Sequence, residues 1–119
     1  MDHGRIPAWR RGIELAHTVC AAVAGGTLAR TDAGQRLRKA AVSVPSLVGE
    51  AFLDLTAQDA AEALSRASAK LSEVVQLLAL DPVRQSLGES ETASLLAEIE
   101  ALRADLDDLS AHRTPPPGH

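Results

Sequence analysis

Between residues 37 and 55 apolar side chains recur at steps that fit one face of an α-helix: Leu37, Ala40, Ala41, Val44, Val48, Ala51, Phe52 and Leu55. Pro45 stands in the middle of this run, in "RLRKAAVSVPSLVGEA" (36–51). An interior proline removes one helical hydrogen bond and presses on the carbonyl four residues back, here that of Ala41, at a cost of about 3 kcal/mol. The stripe keeps its phase on both sides of the proline. One bent helix over 32–55 is therefore expected, not two separate ones. Ser43 and Ser46 flank the bend, where their hydroxyls can serve freed backbone groups. Ala40 and Ala41 leave room for another helix against it.

Three further segments carry helical spacing. In the first, over 7–24, the stripe is Ile6, Trp9, Ile13, Ala16, Cys20 and Val23, with Pro7 in a first-turn position that suits it. "GGTLART" (25–31) ends it through Gly25 and Gly26. Thr31 is the expected N-cap of the second helix, with Asp32 in its first turn. Thr56 is the expected cap of the third, over 57–80, with Asp59 completing a capping box and a stripe of Ala60, Leu64, Ala67, Leu71, Val74 and Leu78. "DPVRQSLGES" (81–90) reads as a break. Ser90 is then expected to cap a fourth helix over 91–111, with the stripe Thr92, Leu95, Ile99, Leu102, Leu106 and Leu109. The proline-rich stretch 112–119 reads as a disordered tail.

Composition agrees with helices and excludes a sheet. Ala, Leu, Glu, Arg and Gln dominate, and Trp9 and Phe52 are the only aromatic residues. Four stripes joined by short connections in a chain of 119 residues predict one all-α domain, an antiparallel up-down-up-down four-helix bundle with a proline-kinked second helix. The lone Cys20 allows no intrachain disulfide and fits a reducing cytoplasm. The first residues show no apolar signal region, and no apolar run approaches the roughly 20 residues that span a bilayer, so no membrane association is expected.

The formal net charge of −4 is unevenly spread. Arg5, Arg10, Arg11, Arg30, Arg36, Arg38 and Lys39 make the first third basic, whereas Glu98, Glu100, Asp105, Asp107 and Asp108 make the last helix acidic. The two ends can neutralise each other within one chain or between copies, or both can be solvated helix faces. Leu15, Val19, Ala22, Leu53, Val75, Leu77, Leu80, Val83 and Leu87 fall off the assigned stripes. They read as a subunit interface or as wider core stripes.

The stretch "LRKAAVSVPSLVGEA" also resembles the signature of bacterial four-helix-bundle proteins first noted as products of intervening sequences in large-subunit ribosomal RNA genes. Leu37, Arg38, Ala40, Ala41, Ser43, Pro45, Ser46 and Glu50 carry the resemblance. Trp9 stands where that family usually has tryptophan, and Ala67, Leu71 and Glu73 fit its pattern on the third helix. Leu47, Ala51 and Ala69-Lys70 depart from it, where the family often has Asn, Gly and Gly-Ser. The resemblance implies a ring-shaped homo-oligomer, usually a pentamer. It also implies a relative, the accessory protein of diversity-generating retroelements, that binds nucleic acid and a reverse transcriptase.

The residues themselves offer little chemistry. Glu50 and Glu73 could form a carboxylate pair for acid/base work, but a partly buried ion-pair network between the second and third helices explains them better. No nucleophile with a base and no phosphate-binding Gly loop accompanies them. His17 and Cys20, three residues apart, are too few to hold a metal, so His17 is expected to be structural and half-buried; His3, His112 and His119 read as terminal residues. Arg10, Arg11, Arg36, Arg38 and Lys39 are the candidate nucleic-acid or partner contacts, though the patch is small and no aromatic residues interleave with it. Its pairing with a neighbouring subunit's acidic last helix is the favoured expectation. The reading as a whole is a non-enzymatic, cytoplasmic, ring-forming scaffold or adaptor without cofactor, with a nucleic-acid-binding accessory protein as the alternative.

Overall fold

The computed structural model describes residues 5–53 and 56–113. Five α-helices account for most of them: α1 (Arg5–Ala24), α2 (Asp32–Leu53), α3 (Ala57–Leu78), α4 (Asp81–Leu87) and α5 (Glu89–Arg113). A 3₁₀ turn, Thr27–Arg30, lies between α1 and α2. No strand occurs among the described residues. α1 packs on α2, α2 on α3, α3 on α5 and α5 back on α1. One apolar core, built mostly from Leu, Val and Ala, runs through the four long helices.

α2 is a single helix with Pro45 inside it. Its expected stripe is buried from Leu37 through Ala51, joined by Gly34 and Leu47, with Phe52 half-buried; Leu55 lies outside the described residues. The Ser43 hydroxyl donates to the Ala40 carbonyl at 2.6 Å. It does not reach the Ala41 carbonyl, the one that loses its partner at Pro45, so the expected service to that group is corrected. Ser46 is exposed.

The turn before α2 is tied down locally. Thr31 Oγ1 accepts from the Gly34 amide and donates to the Leu28 carbonyl, both at 2.9 Å, as its expected capping role requires. Gln35 Nε2 donates to the Ala29 carbonyl at 2.7 Å. Gly34 fits because it has no side chain: a Cβ there would fall inside the Leu28 carbonyl group. Thr56 likewise caps α3, accepting from the Asp59 amide at 3.0 Å.

The segment read as a break contains a helix. Pro82 lies in the first turn of α4, where its missing N–H costs nothing and its φ is already helical. Val83 fixes this short helix to the core. Gly88, at φ +86°, reverses the chain into α5. α5 begins at Glu89, so Ser90 is inside the helix rather than its cap, and the Thr92 hydroxyl donates to the Gly88 carbonyl at 2.8 Å. α5 also runs two residues past the expected end, taking in His112 and Arg113; residues 114–119 of the expected tail lie outside the described residues.

The main correction concerns α1. Ile6, Trp9 and Ile13, read as core, are exposed; Ala16 and Val23 of the same stripe are buried as expected and Cys20 is half-buried, while Ala8, Gly12, Leu15 and Val19, off that stripe, are buried. Gly12 goes with this phase. A Cβ on it would meet the Pro45 Cα at 3.4 Å, so α1 and α2 approach closely at the proline. A small residue suits that position. The off-stripe residues divide between their two readings: Leu15, Val19, Leu77 and Val83 are core, Ala22, Val75 and Leu87 are half-buried, and Leu53 and Leu80 remain outside.

Candidate interaction surface

Two adjoining surfaces on α2 stand out. The first is apolar. Ile6, Trp9 and Ile13 recur at steps of three and four along α1, and Val42 and Leu53 lie on α2. Trp9 leans over Gly49 of α2: a Cβ at Gly49 would sit 3.6 Å from the indole Nε1. With Gly12 against Pro45, the two contacts carry the Ile6–Ile13 face along the outer side of the α1–α2 pair. Among the described residues Leu53 is the most exposed large apolar one, at 82%, and five of the six exposed large apolar side chains belong to these two helices; that concentration separates the face from the scattered apolar surface usual on any protein.

The second surface is a groove of about 440 Å³ between α2 and α3. Val42, which also belongs to the apolar face, lines it together with Leu47, Ser43 and Ser46. Arg38 and Lys39 from α2, and Arg66 and Lys70 from α3, give it positive charge. Glu50 reaches across it to Arg66 at 4.0 Å, with both side chains more than half exposed. Glu73 pairs with Lys70 of its own helix at 3.4 Å. The expected partly buried network joining Glu50 and Glu73 is thus two separate surface pairs, each worth about 0–1 kcal/mol.

The basic residues singled out from the sequence do not form one patch. Arg11 turns to α5 and pairs with Asp105 at 3.1 Å, so part of the basic-to-acidic complementarity is satisfied inside the chain. Arg10 and Arg36 are exposed. Arg38 and Lys39 share the groove with Arg66 and Lys70, which the sequence reading passed over. The signal available was their spacing: Arg66 and Lys70 are one turn apart on the polar side of α3. Arg38 also donates to Gln35 at 3.3 Å.

The signature residues divide by burial. Ala41 is fully buried under the helix crossing, Ser43 is half-buried, and Glu50 and Trp9 face outward. His17 is exposed rather than half-buried, and Cys20 is half-buried. Glu14, His17 and Cys20 follow one another at steps of three on α1, yet no three His, Cys, Asp or Glu side chains among the described residues converge to hold a metal. Among the described residues no helix is long and apolar enough to cross a membrane. His3 and His119 lie outside the described residues. No family model matches this chain, and neither a curated protein nor a solved structure matches it.

Proposed function

We propose that this chain is a non-enzymatic scaffold or adaptor that assembles with copies of itself. The observation carrying the reading is the apolar α1–α2 face, on which Ile6, Trp9 and Ile13 stand outside although the chain has a full core without them. Large apolar side chains gathered on one side are what a subunit contact covers. The architecture of the subunit is an antiparallel, up-down-up-down four-helix bundle of α1, α2, α3 and α5. Its direction is supported where α1 and α2 meet: Trp9 lies by Gly49 and the later Gly12 by the earlier Pro45. A bend of α2 at Pro45 is supported by the lost Ala41 bond and by the close approach of Gly12. The resemblance of the central segment adds a closed ring, a pentamer, in the cytoplasm, presenting its surface to a protein partner.

Sedimentation velocity tests this. The expected result is a species several times the 12.5 kDa chain mass, reduced to a single chain by Ile13→Glu. A wild-type chain that sediments alone refutes the assembly.

A second reading, a nucleic-acid-binding accessory protein, is favoured by one observation: four cations line the α2–α3 groove. It predicts an RNA or DNA mobility shift that weakens steeply with salt and disappears on reversing Lys39 and Lys70 to Glu. The absence of any shift at low salt removes it.

A further inference from the structure

α5 carries two stripes. The inward one, Thr92 to Leu109, is buried. The outward one is Ala93, Ala97, Glu100, Ala104, Asp107 and Ala111, all exposed. Its steps are four, three, four, three and four, the spacing of a helix–helix seam. Four of its six positions are alanine, so another helix surface can approach closely. Glu100 and Asp107 stand two turns apart, about 10.5 Å at 1.5 Å per residue. Glu100 is strongly exposed and its link to Arg103 is long, at 3.7 Å.

The α2–α3 groove is the complement of this stripe. Its sides are cationic, its lining includes the apolar Val42 and Leu47, and Glu50 is the only carboxylate on it. Arg66 reaches Glu50 across it. α2 ends at Leu53 and α3 begins at Ala57, so in an antiparallel pair with those ends level Lys39 and Lys70 stand nearly level on opposite walls. Arg66, four residues before Lys70, lies about 6 Å further along the groove. A helix laid in the groove has cations on both of its sides.

The stripe and the groove cannot meet within one chain. α5 packs on α3 and α1 with its other side, and α2 is covered by α1 and α3.

We propose that the α2–α3 groove receives the outward Ala–acid stripe of α5 from a second copy of this chain, with Glu100 and Asp107 lying among Arg38, Lys39, Arg66 and Lys70. The inference rests on the self-assembly reading above and specifies its joint. The contact is head-to-tail, since one copy gives its groove and the next gives its α5. Such contacts build rings when the rotation between copies closes. Val42 links the groove to the apolar α1–α2 face, which extends the same joint.

The test is charge reversal followed by sedimentation of the full chain. Lys39→Glu with Lys70→Glu weakens self-association about 100-fold, as like charges brought together do. Glu100→Lys with Asp107→Lys does the same. The chain carrying all four substitutions returns to wild-type mass. Ala104→Trp blocks the seam by bulk alone and also lowers the mass. Circular dichroism checks that every variant keeps its helices, and the position at 104 is exposed enough to take a large side chain without touching the core. If the wild type assembles but any of these variants keeps its full mass, or the fourfold variant does not recover, this joint is wrong while self-assembly stands through another face. If the wild type is a single chain, the joint and the reading beneath it both fall.

Discussion

α1 and α3 are helices of nearly equal length, 20 and 22 residues, and both carry apolar side chains at helical steps. On α3 the stripe read from spacing is the buried one: Ala60, Leu64, Ala67, Leu71, Val74 and Leu78 all go inside. On α1 two stripes compete, offset by one residue. The first half of the one with the larger side chains, Ile6, Trp9 and Ile13, stays outside although its Ala16 and Val23 are buried, and the one through Ala8, Gly12, Leu15 and Val19 goes in. The difference lies in the neighbour. α1 lies close against Pro45 of α2, and Gly12 is the α1 residue at that contact. Hydrophobicity sets how much of a helix is buried, and the shape of the facing surface sets which side.

The strongest test of this contrast compares two leucines. Leu15 was placed off the stripe of α1 and Leu71 on the stripe of α3, yet both are about fully buried, at 1% and 0% exposure. Leu15→Ala and Leu71→Ala should each cost about 2–5 kcal/mol in urea unfolding, the usual range for a core leucine. A Leu15→Ala variant as stable as the wild type would return α1 to the phase its large residues imply.

The helix crossing gives a smaller effect. Gly12→Ala puts a Cβ at 3.4–3.6 Å from Pro45 atoms, at the edge of ordinary contact. Gly12→Val adds two methyl groups with nowhere to go and should cost about 1–3 kcal/mol, as overpacking does. A Gly12→Val variant with unchanged unfolding would mean that α1 and α2 do not approach closely at Pro45, and the explanation for the rotated phase would be lost.

Features decided within a turn or two were legible in the sequence. Thr31 and Thr56 cap their helices through the expected bonds. The continuity of α2 across Pro45 followed from a stripe that never slips. The inward stripe of α5 was legible because five of its six positions are Leu or Ile, against Leu96 alone off it, which is half-buried. What escaped depends on pieces distant in the chain, or on punctuation with two meanings. Asp81-Pro82 marks an end to α3 and also a start to α4, since a first-turn proline serves either. Gly34 owes its place to the Leu28 carbonyl packed against it. Of the candidate surface, Arg38 and Lys39 were found, but their companions Arg66 and Lys70 join them only when α3 packs on α2.

The smallest stability effect bears most directly on function. Ile13 is 40% exposed, so Ile13→Ser removes an apolar side chain that one chain leaves partly in water. At a dilution where chains are separate, unfolding should move by about 1 kcal/mol, the share of an isoleucine's burial that the lone chain supplies. At higher concentration the same variant should lose the concentration dependence of unfolding that a self-associating wild type must show, because association stabilises the folded state by mass action. A loss of several kcal/mol at dilution would make Ile13 a core residue after all. A wild type whose unfolding is indifferent to concentration would leave the exposed face of α1 without the partner that justifies it. Leu15 and this isoleucine thus interrogate the same helix from its two sides, and the inward side should matter more to a chain on its own.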